Sequence, residues 1–357
     1  MSTATDTRPA TNSALTAGQL PKFSAIGVLI LALGLAAGVL ALFGMANIGS
    51  VLIIGGLLFY VLIFLLSNAV EGVRKARDRV ARYLVTSFFL IALIPLVSVV
   101  ISTVGEGVKR LDGEFFTYSM RNVLGEGGGA VHAIWGTLII TGIASLISVP
   151  IGLLTAIYLV EYSRNGRLAA GIRFFVDVMT GIPSIVAGLF AFTVFSLILD
   201  PGHKSGFSGA VALSILMIPT VVRSVEEMLR IVPNELREAS YALGVPKFRT
   251  ILKVVLPTAL AGIITGVVLA VARVIGETAP LLVTASVHHS LNVNPFSDAM
   301  TTLPVFVYNQ YMYAPGIDTF AFHERAWAGA LTLIAIVMTL NLLGRFISWK
   351  FAPKQGR

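Results

Sequence analysis

The chain alternates between long apolar runs and short charged ones. Residues 23–70 contain no Asp, Glu, Lys or Arg. A helix needs about 20 apolar residues to cross the hydrocarbon core of a bilayer. This stretch therefore predicts two helices, with Asn47, Gly49 and Ser50 supplying the turn between them. Further runs at about 83–105, 132–160, 172–199, 207–230, 257–285 and 327–348 predict six more spans, eight in all. No segment alternates over ten residues as the strands of an outer-membrane barrel do. The expected fold class is thus all-α, a polytopic transmembrane helical bundle.

Composition supports that solvent. The 357 residues are 56% hydrophobic and 12% charged, about half the charge a water-facing domain carries. With no cysteine, the chain has no disulfide framework, thiolate metal site or cysteine nucleophile. Once the spans are drawn, Lys and Arg fall unevenly. Twenty lie in residues 1–22, 71–82, 161–173, 222–256 and 345–357, against five on the opposite side, namely Lys109, Arg110, Arg121, Lys204 and Arg325. The positive-inside rule then puts both termini and the 222–256 loop in the cytoplasm. It also accounts for the net charge of +8 without a nucleic-acid partner. Residues 1–22 lack the short apolar core of a cleaved signal peptide and read as a disordered cytoplasmic tail. The basic segment 71–82 reads as a linker between the 23–70 hairpin and the remainder, 83–357.

Other features carry less. GEGGGA at 125–130 has no Lys-Ser/Thr after it and no strand before it, so it reads as a flexible external loop rather than a phosphate loop. The five histidines (His132, His203, His288, His289 and His323) show no ligand spacing, which argues against a metal site. Pro95, Pro150, Pro183, Pro219 and Pro280 lie within or near spans and read as kinks that neighbours satisfy. Phe306, Tyr308, Tyr311 and Tyr313 read first as an interfacial belt, and second as a contact for an external binding protein.

The loop RSVEEMLRIVPNELREASYALGVPKFRTILKVVLP (223–257) is more specific. Apolar residues recur at helical spacing around Gly244, predicting two short helices along the membrane face, and by physics alone these could simply anchor the bundle. The loop resembles the signature of ABC importer permeases: E-A-A, three residues, G, nine residues, I, one residue, L-P. Here the matching residues are Glu238, Ala239, Ser240, Gly244, Val254, Leu256 and Pro257, with Ser for the third Ala and Val for Ile. The resemblance implies that 233–257 seats in a cleft of a separate ATPase, where small residues permit close approach. It further implies a type I permease core of six helices, so the 23–70 hairpin is additional. No G-x-x-x-x-G-K-[ST] occurs in the chain. ATP and Mg would therefore be bound by the partner ATPase, and the chain itself is expected to be non-catalytic and free of cofactors.

The stretches at 136–162, DVMTGIPSIVAGL (177–189), 221–244 and ARVIGETAPLLVTA (272–285) look like phosphate-uptake permeases. The G-E-T-A-P-L-L wording and MTTLPVFVYN (300–309) resemble their A-type subunits. This implies import of inorganic phosphate across a bacterial inner membrane, with a C-type permease, an ATPase dimer and an external phosphate-binding protein as partners. Sulfate or molybdate transport, or a secondary anion carrier, are the alternatives.

Two charges interrupt VVLAVARVIGETAPLLVTASV (267–287). Arg273 and Glu277 are four apart, so on one helix they share a face and can pair. A packing role is the plain alternative. However, a charge at the bilayer centre costs roughly 2.5–3.5 kcal/mol on insertion scales, and buried pairs are often no better than apolar replacements. The two are therefore expected to line the substrate pathway, Glu277 offsetting an Arg that alone would hold phosphate too long. Arg223 is a second pathway candidate, though positive-inside placement would also explain it. Asp177 is expected to pair with a basic neighbour.

Overall fold

A computed structural model describes residues 18–21, 23–123, 125–163, 166–314 and 319–351, all secondary structure among them being helical. Most of the tail expected over 1–22 lies outside the described residues. The chain divides into two compact units, Met1–Val100 and Ile101–Arg357.

In the first unit, α1 (Ser24–Leu42) and α2 (Ile48–Glu71) form the expected hairpin. Gly44, at φ +68°, reverses the chain. Asn47 is the N-cap of α2: its side chain accepts from the Ser50 N–H at 2.7 Å while the Ser50 hydroxyl accepts from the Asn47 N–H. Gly49 and Ser50 are therefore already helical rather than part of the turn. Ala32, Phe59 and Ile63 are buried between the two helices. The basic segment is helical, forming the first turns of α3 (Val73–Gly107). Its Arg79 reaches back to Glu71, with Nε and Nη2 at 2.6 and 2.7 Å from the two carboxylate oxygens.

The second unit is built on α4 (Val131–Ile157), α5 (Arg167–Thr180), α6 (Ser184–Ile198) and α7 (Gly206–Ile231). These are followed by α8 (Asn234–Ala242), α9 (Leu256–Val274), α10 (Ala279–Thr284), α11 (Leu303–Met312) and α12 (Thr319–Phe351). Helix α7 is the hub, with Leu213, Met217, Val221, Val225 and Leu229 fully buried. Its neighbours approach through small residues. A Cβ on Gly152 of α4 would lie 2.6 Å from Val221, and Cβ atoms on Gly262 and Gly266 of α9 would meet Met228 and Ser224 at 2.4 and 2.7 Å. Such close contact replaces the hydrophobic driving force that is missing between helices in lipid.

Seven helices among the described residues are long and apolar enough to cross a bilayer. Two expected spans differ. The run 172–199 is a pair, α5 and α6, bent by 106°. At that break Gly181 and Pro183 flank Ile182, and a proline both lacks an N–H and disfavours helical backbone in the residue before it. The run 257–285 breaks after Val274 and resumes at Ala279, with Pro280 in the first turn of α10, where its missing N–H costs no hydrogen bond. Pro95, Pro150 and Pro219 remain inside helices.

Two further expectations are corrected. Phe306 is not an interfacial residue but is 2% exposed, packed with Phe115, Met120 and Leu303. The GEGGGA loop is not loose, because the Gly125 and Gly127 carbonyls accept from Arg325 Nη1 at 2.7 and 2.9 Å, and the Gly128 N–H donates to Glu114.

Candidate functional site

The two helix breaks meet. Gly188 of α6 lies directly against α10, where a Cβ would stand 2.6 Å from the Pro280 Cα. That contact holds both broken ends around one cavity of about 210 Å³. Thr180, Ile182 and Ser184 line it from the first break, Arg273 and Glu277 from the second, and Leu216 and Thr220 from α7.

Arg273 and Glu277 therefore share a site, but not as expected. Arg273 sits in the last turn of α9, whereas Glu277 lies beyond the helix end, its N–H bonded to the Val274 carbonyl at 3.1 Å. The i, i+4 geometry is lost because the helix stops between them, and among the described residues neither side chain has an ionic partner. Arg273 is exposed on this chain's surface. Helix α6 opens onto the cavity at Ser184 with no side-chain cap, so its free N–H groups add about half a positive charge. Arginine, carboxylate and helix end together leave a weakly positive site, which attracts an anion without trapping it.

Arg223 takes the role of Asp177's basic neighbour: the two form an ion pair, both about half exposed. Asp177 lies one turn before Thr180 on α5, and Arg223 one turn after Thr220 on α7. The pair therefore sits one turn from the cavity, toward the end of the molecule that carries α8.

The signature element is a helix on an anchored base. Helix α8 ends in a Schellman turn at Gly244 (φ +74°), where the Gly244 N–H bonds the Tyr241 carbonyl and the Val245 N–H bonds that of Ser240. Among the described residues no atom lies within 4 Å of a Cβ built on Gly244. Within this chain, then, the glycine is required by backbone conformation and not by close approach. The expected second short helix is instead the lead-in to α9. Lys247–Thr250 passes through a π segment, Ile251–Val255, into Leu256 and Pro257, where the proline cannot donate the regular bond. Ser240 is buried and its hydroxyl bonds that of Thr250 at 2.9 Å, tying α8 to the lead-in. Glu238 and Ala239 are exposed, next to Leu236, Tyr241, Leu243 and Phe248, and Leu243 is 83% exposed.

Sequence reading missed what seats α8. Arg237 and Glu161 form an ion pair at 2.7 Å, with side chains 7% and 3% exposed. Arg237 also donates to the Val232 and Leu229 carbonyls at 2.6 and 3.0 Å, satisfying the C-terminal end of α7. Nearby, buried Glu226 accepts from Arg173 and Arg230 at 3.2 and 2.5 Å. A helical i, i+4 spacing signals the Glu226–Arg230 contact; the other two join residues more than fifty positions apart and leave no local signal.

Residues 148–355 match the family model described as binding-protein-dependent transport system inner membrane component. The chain is 45% identical over 277 residues to the phosphate transport system permease protein PstA 1 of Mycobacterium tuberculosis (strain H37Rv), covering 77% of this chain and 88% of that one. It is 37% identical over 282 residues to PstA of Yersinia pestis, covering 79% and 92%. Among solved structures, a bacterial alginate ABC transporter in complex with its periplasmic protein matches with a TM-score of 0.57 at 14% identity, over 79% of this chain and 97% of that one. The inward-facing MetNI methionine ABC transporter matches at 0.51 and 22% identity, over 62% and 96%. The match spans more than half of the chain and includes the segment Glu238–Pro257 that begins on the anchored helix α8. The chain belongs to the family of binding-protein-dependent transport system inner membrane components.

Proposed function

We propose that this chain is one permease subunit of an ATP-driven inorganic phosphate importer in a bacterial cytoplasmic membrane, with both termini and α8 on the cytoplasmic side. The observation that carries the reading is the Arg273 cavity, a weakly positive site between two helix breaks in a relative of the PstA proteins. Phosphate descends past Arg273 with Glu277 limiting its dwell time, then meets Arg223, whose carboxylate partner Asp177 is exchanged for the anion. A C-type permease covers the exposed Arg273 face and completes the pathway. An external phosphate-binding protein delivers the substrate.

Energy enters through α8. Its exposed Leu236, Tyr241 and Leu243 present apolar surface at an aqueous end, which suits a cleft on one of two ATPase subunits that hold ATP and Mg. The Arg237–Glu161 pair and the Ser240–Thr250 bond then pass the movement of that cleft to the end of α4 and to the start of α9. This chain performs no bond chemistry.

Proteoliposomes carrying the four components test the reading. Labelled phosphate uptake should require both internal ATP and the loaded binding protein, and should exceed that of sulfate and molybdate. Uptake driven by an ion gradient without the ATPase, or a preference for another oxyanion, contradicts it.

A further inference from the structure

A second cavity, of about 720 Å³, opens at the end of the second unit opposite α8. Its position follows from helix direction. Helices α4 and α7 end near α8 and α9 begins there, whereas the cavity is lined by residues 120–123 before α4, residues 287–290 after α10, and the C-terminal end of α11. If α8 is cytoplasmic, this is the external end.

The lining is built for an anion. It brings together Arg121, His288, His289, Asn309, Gln310 and Tyr313, and no Asp or Glu lines it among the described residues. Gln310 is 1% exposed, and its orientation is forced. Arg325, itself 1% exposed, donates from Nε to the Gln310 Oε1 at 3.0 Å. A guanidinium can only donate, so the Gln310 oxygen must face it and the amide NH₂ must point away. That NH₂ has no protein acceptor among the described residues. The His288 backbone is held as well: the Thr301 hydroxyl accepts from its N–H at 2.5 Å and donates to its carbonyl at 2.9 Å. Just before it, Ser286 holds φ +60°, a strained turn for a serine that sets the direction of 287–290.

We infer that this cavity is a receiving site for a tetrahedral oxyanion, where phosphate released from the binding protein is held by Arg121, the two histidines and the Gln310 amide before it enters the translocation path. The inference rests on the phosphate-importer reading for its choice of anion. One guanidinium among neutral donors gives a loose site, as a way-station needs, since a bidentate multi-arginine clamp would release slowly. Arg325 is a positioning residue here, acting through Gln310 and through the 125–127 loop.

The chain has no cysteine, so Ser290→Cys, on the cavity lining, gives it a single thiol, read in the assembled complex against the same complex without the substitution. Its modification by anionic and cationic methanethiosulfonates of equal size reads the local potential. The expected result is at least a fivefold preference for the anionic reagent over that of a free thiol, at least halved by Arg121→Gln. Inorganic phosphate at about 10 mM should slow the reaction at least twofold, and chloride at equal ionic strength should not. No charge preference, or no protection by phosphate, overturns the inference. ATP-driven phosphate uptake measured on the same preparation separates the two readings. Protection without uptake contradicts the importer and leaves the cavity site standing, whereas uptake without protection removes the cavity site alone.

Discussion

Removing either member of the Arg237–Glu161 pair should release α8 from the bundle, and the two removals should differ in size. Glu161→Gln leaves the guanidinium two carbonyls, at 2.6 and 3.0 Å, plus a neutral amide oxygen. The guanidinium, 7% exposed, loses its counter-charge but keeps its backbone acceptors, so the loss should fall below that of stranding the carboxylate. Arg237→Leu is worse. It strands a carboxylate whose side chain is 3% exposed and whose hydrogen bonds among the described residues all come from Arg237, and it also strips the α7 carbonyls of their donor. Leaving one partner of a buried pair unmatched costs about 3–5 kcal/mol. At tenfold per 1.4 kcal/mol, a loss of about 3 kcal/mol opens α8 about 140-fold more often. Hydrogen exchange at residues 236–241, measured by mass spectrometry on the purified complex, should accelerate by about that factor in Arg237→Leu and by less in Glu161→Gln. ATP should still be hydrolysed while phosphate carried per ATP falls. Exchange within a few-fold of the parent in Arg237→Leu, with coupling intact, would refute the anchoring argument.

At Gly244, alanine should cost about 1–2 kcal/mol through its φ of +74° alone, lowering ATPase recovered on co-purification while membrane insertion is unchanged; aspartate should abolish recovery. Gly188→Ala forces a Cβ to 2.6 Å from Pro280 Cα and should destabilise by about 1–3 kcal/mol, read as a lowered melting temperature in detergent, whereas Gly171→Ala, with open space around it, should lower neither melting nor uptake. Starting the chain just before Arg74 removes α1 and α2, and phosphate uptake per inserted molecule should stay near the parent value; an inserted but inactive protein would place the hairpin in the mechanism.

What could be read from the sequence was what is local. Uncharged apolar runs of 18 or more residues can only be buried or lipid-facing, so α1, α2, α3, α4, α7 and α12 follow from composition along the chain. The signature residues Glu238 to Pro257 could be found because they lie within twenty consecutive positions, on α8, its Gly244 turn and the lead-in to α9. The helix breaks were harder. Pro183 and Pro280 look no different from Pro150 and Pro219, which stay inside helices, because a proline's effect depends on whether neighbouring helices satisfy the freed carbonyl. That ambiguity hid the real relation of Arg273 to Glu277, which a continuous helix would have paired. Arg325 counted in the sequence only as one of five charges on the minority side. Its burial among Gly125, Gly127 and Gln310 joins segments up to 200 positions apart, and no periodicity encodes such a contact.

The central claim is that Arg273 conducts phosphate rather than holding helices together. The deciding measurement is ATP-driven uptake of labelled phosphate by complexes carrying Arg273→Gln together with Glu277→Gln, normalised to folded protein in the vesicle. Both side chains are without ionic partners among the described residues, so neutralising them should leave assembly and melting close to the parent. Uptake should nevertheless fall by at least tenfold. Near-normal uptake by that double variant would contradict the account.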